Sequence, residues 1–226
     1  MATISWARTA EEEALLRRSL PALAGLGMRV VVGDAGTSES FTQFLRAIPG
    51  VTVVVPGERG LVAQVQASLA LAGTLDTPFI LYTEPDKESF FRDRLARFVE
   101  RAPADPDIGV VVAARSEHSF STYPPRQRYT EGVANHLSGE TIGVPGDYFY
   151  GPFLMTRALL PQVASLNRAL GWGWRPATFV AAGRGGLRVV LLADHHPCPE
   201  AQRAEDDAER SHRLKQLSQN VAGLVP

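Results

Sequence analysis

The amino-acid sequence predicts an α/β fold in which a mostly parallel central sheet is flanked by helices. Two observations support this prediction. Short runs of β-branched and aliphatic residues alternate with longer segments of helical periodicity, and turn-forming residues separate the two kinds of segment. A chain of 226 residues is long enough to bury one large core, so we expect a single compact domain.

The first half of the chain is predicted to alternate regularly between strands and helices. Strands are predicted in TISWA, MRVVVGDAG, VTVVVP, TPFILYTE and DIGVVVAAR. Helices are predicted between them in TAEEEALLRRSLPALAGLG, SESFTQFLRAI, LVAQVQASLALAGTL and ESFFRDRLARFVERA. We expect Thr9 and Ser38 to cap the first two helices, because a hydroxyl oxygen accepts hydrogen bonds from the free N–H groups at a helix start.

The second half of the chain is less regular. Residues 116–151 are rich in turn formers, and only 129–137 show a clear helical pattern, so we predict a long functional or mobile loop. Further helices are predicted in TRALLPQVASLNRAL, over 175–182 and in EAQRAEDDAERSHRLKQLSQNVAGL. The segment LRVVLLAD is predicted to form the last strand.

The composition excludes several classes of partner. The 23 basic and 24 acidic side chains give a formal net charge of -1, so no overall positive field attracts nucleic acid or anionic lipid. No apolar stretch reaches the ~18–20 residues that cross a membrane, and the first residues lack the pattern of a signal peptide. A single cysteine, Cys198, cannot form an internal disulfide. We therefore expect a cytoplasmic protein without a membrane span.

Acidic side chains follow two of the predicted strands. Asp34 follows the second strand, and Glu84 and Asp86 follow the fourth, while the first is followed by Arg8, Thr9 and Glu11. The carboxyl ends of parallel strands meet at one edge of a sheet, where ligands of such folds bind. Mg²⁺ or Mn²⁺ takes carboxylate oxygens and completes its shell with substrate phosphates, so a metal and a phosphorylated ligand are predicted here. The structural alternative is that Glu84 lies in a turn and Asp86 caps the helix of ESFFRDRL.

The order of these segments resembles the GT-A glycosyltransferases. The matching stretches are TISWARTAEEEALLRRSL, MRVVVGDAGTSES, RGLVAQVQASLALAGTLDTPFILYTEPDKESF, VVVAARSEHSF, GDYFYGPFLMTRALL and LLADHHP. The resemblance covers nearly the whole chain and implies a GT-A domain over 1–226. Within it, 1–115 would bind the nucleotide sugar and 116–226 the acceptor. It also implies transfer of a hexosyl group from a GDP- or UDP-hexose to a small acceptor, with a homodimer as one alternative for the assembly.

The resemblance assigns the nucleotide-sugar and metal residues. The nucleotide sugar would contact Ala7, Arg8, Thr9, Glu11, Asp34, Gly60, Gln64 and Glu84. Asp86 would stand at the family's metal-binding DxD, although the first acid is a glutamate here and Pro85 stiffens the turn. His195 or His196 would complete the metal site, because neutral imidazole joins carboxylates at manganese. The alternative for both histidines is a solvent-facing turn before Pro197.

Further residues are assigned to catalysis and to the acceptor. Arg126 and Arg128 would clamp the diphosphate, since guanidinium groups form paired hydrogen bonds to phosphate; a solvated basic patch is the alternative. Asp147 matches an acceptor-side acid, although Tyr150 replaces the family's serine and a plain turn aspartate is the alternative. The candidate catalytic residues are Asp86, Asp147 and Arg128.

The segment GWGWRP, residues 171–176, bears on the stereochemistry of transfer. Inverting members of the family carry a Glu-Asp pair at this place, and its aspartate deprotonates the acceptor hydroxyl. That pair is absent, so transfer with retention is predicted, in a manner similar to mannosylglycerate and glucosylglycerate synthases. Trp172 and Trp174, with Tyr148, are the candidate acceptor-binding residues; packing under a loop is the alternative for both tryptophans.

Two other functions remain open. A sugar-phosphate nucleotidyltransferase shares the sheet, but it usually begins with a glycine-rich phosphate loop, and ISWARTAEEE contains no glycine. A non-catalytic nucleotide-sugar binding protein is favoured if the Glu-Pro-Asp turn holds no metal.

Overall fold

A computed structural model of the protein describes residues 1–225, and these form two compact units. Unit 1 comprises Met1–Arg101 and Pro152–Ala164, and unit 2 comprises Ala102–Gly151 and 165–225. The single domain expected from the sequence stays a prediction. No helix within 1–225 is both long enough and apolar enough to cross a membrane.

Strands and helices alternate along the chain as the sequence predicts. The strands are β1 (Ala2–Ser5), β2 (Val30–Asp34), β3 (Val51–Val54), β4 (Phe79–Tyr82), β5 (Ile108–Arg115), β6 (Phe153–Thr156) and β7 (Arg188–Asp194). The α-helices are α1 (Ala10–Ala24), α2 (Glu39–Ala47), α3 (Leu61–Ala72), α4 (Glu88–Asp93), α5 (Leu95–Arg101), α6 (Glu117–Ser121), α7 (Pro125–Ile142), α8 (Leu160–Ala164), α9 (Trp174–Arg184) and α10 (Asp207–Leu224). Short 3-10 segments lie at Arg157–Leu159, Arg168–Gly173 and Glu200–Gln202.

Unit 1 contains strands in the order β3-β2-β1-β4-β6. Strands β1 to β4 pair in parallel, and β6 runs antiparallel to β4. Ser5 and Asp34 are register partners at the ends of β1 and β2. The predicted mostly parallel sheet is therefore confirmed, and its carboxyl edge gathers the segments that follow β1, β2 and β4.

Helix α3 approaches the β1–β2 end of this sheet unusually closely. A side chain at Gly33 would collide with the backbone carbonyl of Gln64, so only glycine permits this approach. The Gln64 amide then donates to the carbonyl oxygens of Ser5 at 2.8 Å and Gly33 at 2.9 Å. Gln64 thus joins the carboxyl ends of two strands to the first turn of a helix.

Unit 2 is built on the parallel pair β5 and β7, against which α9 packs. Trp174 and Phe179 of α9 are completely buried. Helix α10 packs on α7, on α9 and on the Arg168–Gly173 segment. The last contact brings Gly223 of α10 against the backbone of Gly173, with no room for a side chain on either residue. Backbone contact at these two glycines therefore sets the position of α10 within unit 2.

Two predicted helix caps are confirmed. The Thr9 hydroxyl accepts from the Glu12 backbone N–H at 3.2 Å, and the Ser38 hydroxyl accepts from that of Phe41 at 3.1 Å. Each hydroxyl thus satisfies a backbone donor that the helix itself leaves without a partner.

Three predictions of secondary structure are wrong. The single helix predicted over 88–102 is broken at Arg94 into α4 and α5. The long loop predicted over 116–151 contains α6 and the 18-residue α7, which begins at Pro125. Proline is favoured at the first position of a helix, where its missing N–H costs nothing, so this proline begins a helix and does not mark a loop. The continuous helix predicted over 156–170 forms only the five-residue α8 between two 3-10 segments, and strand β6, which ends at Thr156, was not predicted.

Candidate functional site

Buried polar side chains form hydrogen bonds at the carboxyl edge of the sheet in unit 1. Asp34 is completely buried, and its two carboxylate oxygens accept hydrogen bonds from the hydroxyls of Ser5 at 3.0 Å and Thr42 at 2.7 Å. Gln64 is 3% exposed and holds the strand ends together, as described above. These two predicted ligand contacts thus support the edge from inside the fold.

The segment after β1 supplies the accessible side chains of this edge. Trp6 is 60% exposed, and the Arg8 guanidinium lies 5.7 Å from the centre of its ring. Arg8 also forms an ion pair with Glu12 at 2.6 Å. Glu11 is exposed, and the Ala7 backbone N–H donates to Thr37. The accessible Trp6 is not among the site residues predicted from the sequence, although its position directly after β1 indicates that it lies at this edge.

Gly60 lies at the start of α3 and is exposed. Its φ of 122° belongs to the region that favours glycine, so the backbone turns there in a way that other residues rarely permit.

The turn Glu84-Pro85-Asp86-Lys87 follows β4 at the same edge. Glu84 is 7% exposed, whereas 36% of the Asp86 side chain is accessible. Both Asp86 carboxylate oxygens lie 3.0 Å from the ammonium nitrogen of Lys87. The Ser19 hydroxyl of α1 donates to the Pro85 carbonyl at 2.5 Å and so fixes the turn to a helix. Lys87 was not predicted as a site residue.

The start of helix α4 shows whether Asp86 caps this helix, which is the structural alternative to a role as metal ligand. The residue at its N-cap is Lys87, and no side chain forms a capping hydrogen bond there. The idea that Asp86 caps this helix is therefore wrong, and its carboxylate interacts with a cation instead.

The Asp86 carboxylate suits a hard divalent cation. Its oxygens both face one positive charge, the Lys87 ammonium, which shows that they can be directed at a single cation. No group of three histidine, cysteine, aspartate or glutamate side chains within 1–225 is arranged to hold a metal. A cation at Asp86 would therefore take most of its remaining ligands from water and phosphate oxygens, as Mg²⁺ commonly does.

The two candidate metal histidines differ sharply in their surroundings within unit 2. His195 is exposed; its ring stacks on that of His118 with 6.1 Å between centres, and its Nδ1 lies 3.3 Å from the Ser119 hydroxyl. His196 is 3% exposed, and its ring lies parallel to that of Tyr150 with 4.5 Å between centres. His195 is thus the accessible member of the pair.

Asp147 belongs to a buried cluster of charges in unit 2. Its carboxylate pairs with the Arg115 guanidinium at 2.7 and 2.8 Å, and it also accepts from the Arg115 backbone N–H at 2.8 Å. Arg115 pairs in addition with Glu131 at 2.6 Å, and Asn135 donates to Asp147 at 3.0 Å. The Arg115 side chain is fully buried. Asp147 therefore holds strand β5 to helix α7, and its carboxylate is not available to an acceptor.

The cluster fixes the protonation state of Asp147. Burial by itself raises the pKa of this carboxyl group, but the positive charge of Arg115 and the hydrogen bonds from Arg115 and Asn135 outweigh it, so the pKa lies below its ordinary value. Asp147 is consequently ionised in the folded protein at neutral pH.

We expect acid to destabilise the protein through this group. The unfolded chain binds a proton at Asp147 near pH 3.9, above the pKa in the folded state, so the stabilisation is complete above about pH 4 to 5 and is lost as the pH falls. Urea unfolding measured between pH 6 and pH 3 checks this. The variant Asp147→Asn, which has no carboxylate to titrate at this position, should lose less stability over the same interval; an equal loss would contradict the assignment.

Two of the predicted acceptor contacts are core residues. Tyr148 is 1% exposed and packs on Phe179, and burial raises its pKa to about 12. Trp174 is completely buried. An acceptor role for these two side chains is wrong, because apolar packing in unit 2 encloses them. Trp172 is half-buried, with the Arg175 guanidinium 5.4 Å from its ring centre.

The predicted arginine clamp lies on helix α7, not in a loop. The Arg126 guanidinium donates to the Asp206 carbonyl at 3.0 Å and lies 3.8 Å from the Asp207 carboxylate, so it ties α7 to the start of α10. Arg128 is exposed on the same helix. Of the two arginines, Arg128 is the one that a ligand reaches without breaking a contact between helices.

Comparison with known proteins identifies the fold. No protein-family model matches the chain. No curated protein matches it either. Solved structures of glucosyl-3-phosphoglycerate synthase from Mycobacterium tuberculosis do match. The complex with Mn²⁺, UDP and phosphoglyceric acid has a TM-score of 0.60 at 16% identity over 99% of this chain and 77% of that chain.

Two further structures of that enzyme agree. The complex with Mn²⁺, UDP-glucose and phosphoglyceric acid has a TM-score of 0.59 at 16% identity, covering 99% of this chain and 78% of that chain. Another structure has a TM-score of 0.59 at 18% identity, covering 99% and 79%. At such identities the likeness establishes the fold, so the predicted GT-A fold is confirmed.

Proposed function

We propose that this protein is a glycosyltransferase that moves a hexosyl group from a nucleotide diphosphate sugar to a small acceptor, with Mg²⁺ or Mn²⁺ as cofactor. The observation that carries the proposal is the accessible Asp86 carboxylate directly after β4. Both of its oxygens face a single positive charge, the Lys87 ammonium. This is the edge of a parallel sheet at which such folds bind ligands. Structural neighbours with the same fold hold Mn²⁺ and UDP, which supports the assignment.

On the donor side, the proposed contacts lie along the carboxyl edge of unit 1. The exposed Trp6 ring offers a face on which a nucleobase can stack, and Ala7, Arg8 and Glu11 continue the same accessible segment. The buried Asp34 and Gln64 both form hydrogen bonds with Ser5, the residue directly before this segment, and so hold its start in place. Because neighbours were solved with UDP and UDP-glucose, we propose a UDP-hexose as the first donor to test, with a GDP-hexose second.

When bound at Asp86, the divalent cation would neutralise negative charge that develops on the leaving diphosphate. Exposed Arg128 of α7 is proposed to bind a phosphate or carboxylate group of a ligand. A small anionic acceptor suits the positive charge of Arg128, and neighbours were solved with phosphoglyceric acid and glycerol 3-phosphate.

We propose transfer with retention, because GWGWRP carries no carboxylate and the Asp147 carboxylate is already paired with Arg115.

Replacing Asp86 with alanine is expected to abolish the Mn²⁺-dependent part of UDP binding. Loss of a carboxylate that binds a cation costs roughly two charged hydrogen bonds, so the affinity for UDP in Mn²⁺ should fall about 100-fold or more. Calorimetric titration of UDP with and without Mn²⁺ measures this directly.

Asp93→Ala is the matched control, because Asp93 is an aspartate of the neighbouring α4 with 66% of its side chain exposed. We expect it to bind UDP like the wild type. Metal-dependent UDP binding that survives in Asp86→Ala would contradict the proposal.

A non-catalytic nucleotide-sugar binding protein is the second candidate. It is favoured by the ion pair that already neutralises Asp86 and by the lack of a three-residue metal group within 1–225. Incubation with UDP-hexoses, Mn²⁺ and phosphoglyceric acid, followed by mass spectrometry, separates the two: transferred sugar or free UDP indicates an enzyme, and an unchanged donor indicates a binding protein.

A further inference from the structure

Lysine is a rare residue in this chain, and Lys87 is one of two. The sequence contains 23 basic residues, of which only Lys87 and Lys215 are lysines. One of the two stands directly after the Glu-Pro-Asp turn and places its ammonium 3.0 Å from both oxygens of Asp86. The proposed metal ligand therefore already holds a positive charge that belongs to the protein.

We propose that Lys87 is a diphosphate-binding residue that exchanges partners: it pairs with Asp86 in the free protein and turns to the diphosphate of the nucleotide when a divalent cation binds Asp86. This inference rests on the proposed function, and it assigns a role to a side chain next to the metal position. Lys87 would act by direct contact with the ligand.

The geometry requires such an exchange. A divalent cation takes carboxylate oxygens at ~2.0–2.2 Å, so it cannot share the two Asp86 oxygens with an ammonium that is centred between them. Lysine is suited to moving away, since its charge is compact and its four-carbon stem is flexible. The turn itself is held by the Ser19 hydrogen bond to Pro85, so the motion is confined to the side chain.

The released ammonium would remain beside the metal. Lys87 is the residue adjacent to Asp86, and only 20% of its side chain is exposed, so it lies against the protein surface at the edge where the phosphates would bind. An ammonium at this place stabilises phosphate oxygens as a point charge. The same side chain would thus oppose the metal in the free protein and support the nucleotide in the complex.

This exchange makes metal and nucleotide binding mutually dependent. Without nucleotide, the cation must displace the Lys87 ammonium from Asp86 and break that ion pair, so metal binding is weak. With nucleotide, the displaced ammonium gains phosphate oxygens, and each ligand strengthens the other by the same factor.

The variant Lys87→Met is expected to change two affinities in opposite directions. In the absence of nucleotide it should bind Mn²⁺ about tenfold more tightly, because Asp86 no longer has a competing charged hydrogen bond. At saturating Mn²⁺ it should bind UDP about tenfold more weakly, because a phosphate contact is lost. Electron paramagnetic resonance of free Mn²⁺ measures the first affinity, and calorimetry measures the second.

The chain offers a matched control in its other lysine. Lys215 lies exposed on α10, and Lys215→Met should leave both affinities unchanged. Lys87→Arg, which keeps a cation, should retain most of the UDP affinity. Unfolding midpoints that agree among the variants show that the fold is intact.

The outcomes separate this inference from the proposed function. Opposite shifts in Lys87→Met support the exchange. A wild-type protein that binds UDP with Mn²⁺, together with a Lys87→Met variant in which either affinity is unchanged or both fall, overturns the exchange and leaves the proposed function standing. A wild-type protein that binds neither Mn²⁺ nor UDP overturns both.

Discussion

Replacing Arg115 with methionine is expected to destabilise the protein by about 3–5 kcal/mol. The guanidinium is fully buried and pairs with Asp147 and Glu131. Its loss leaves the Asp147 carboxylate without a countercharge inside unit 2 and leaves Glu131 with the longer Arg213 pair at 3.6 Å. The guanidinium also stacks on Phe120 and Tyr123, with 4.7 and 4.4 Å to the ring centres. Methionine retains much of the side-chain length without the charge. Urea denaturation followed by circular dichroism measures the free energy of unfolding.

Arg188→Met serves as the control for this substitution. Arg188 pairs with Asp107 at 2.5 Å, but more than half of each side chain is exposed, and solvent screens such surface pairs. We expect a small change in stability. An Arg115→Met protein as stable as the Arg188→Met protein would show that the buried cluster does not hold unit 2 together.

The second large effect is expected at Gly223, where alanine should cost about 2–3 kcal/mol. The added methyl group would collide with the backbone carbonyl of Gly173, and a backbone cannot turn aside as a flexible side chain can. Helix α10 would have to move away from the Arg168–Gly173 segment, which would separate packed atoms along their contact. Thermal unfolding of the variant and the wild type measures the loss.

Gly132→Ala is the matched control with the opposite sign. Gly132 lies inside helix α7, and a methyl group added there would meet nothing within 4 Å. Alanine in an open helical position stabilises by roughly 0.5–1 kcal/mol, because glycine loses more backbone freedom on folding. If Gly223→Ala raised the unfolding temperature as Gly132→Ala is expected to, the close approach of α10 would be disproved.

The strands and helices of the first half of the chain were predictable because the hydrophobic periodicity and the helix-capping residues indicate the same elements. The buried run of β2, the threonine at the start of α1 and the serine at the start of α2 are all local features, and the structure confirms them. Acids after strands likewise indicated that Asp34, Glu84 and Asp86 end or follow strands of one parallel sheet, since their position depends only on strand order.

The errors arise where neighbours in space decide the outcome. Residues 153–156 form a strand because they pair with β4, which local sequence does not reveal. Tyr148 and Trp174 look like exposed aromatic contacts in a glycine-rich sequence, but packing within unit 2 buries both. Long-range packing of this kind outweighs local preference.

Electrostatic pairing was also hidden from the sequence. Asp147 and its partner Arg115 are 32 residues apart, so the spacing gave no signal that the acid belongs to a structural cluster. The pair of Asp86 and Lys87 is adjacent in sequence and was missed for another reason. The two acids of the turn predict a metal site, and that prediction includes no role for the lysine beside them.

The contact between Gly33 and Gln64 offers a marker for distant homologues. Neither residue needs to touch a ligand: the glycine admits the α3 backbone, and the amide 31 residues later joins two strand ends. The role of this pair in the sheet does not depend on which donor or acceptor binds. A sequence profile that weights the glycine and the amide at this spacing should therefore recover diverged lineages that a search on the acidic motif discards.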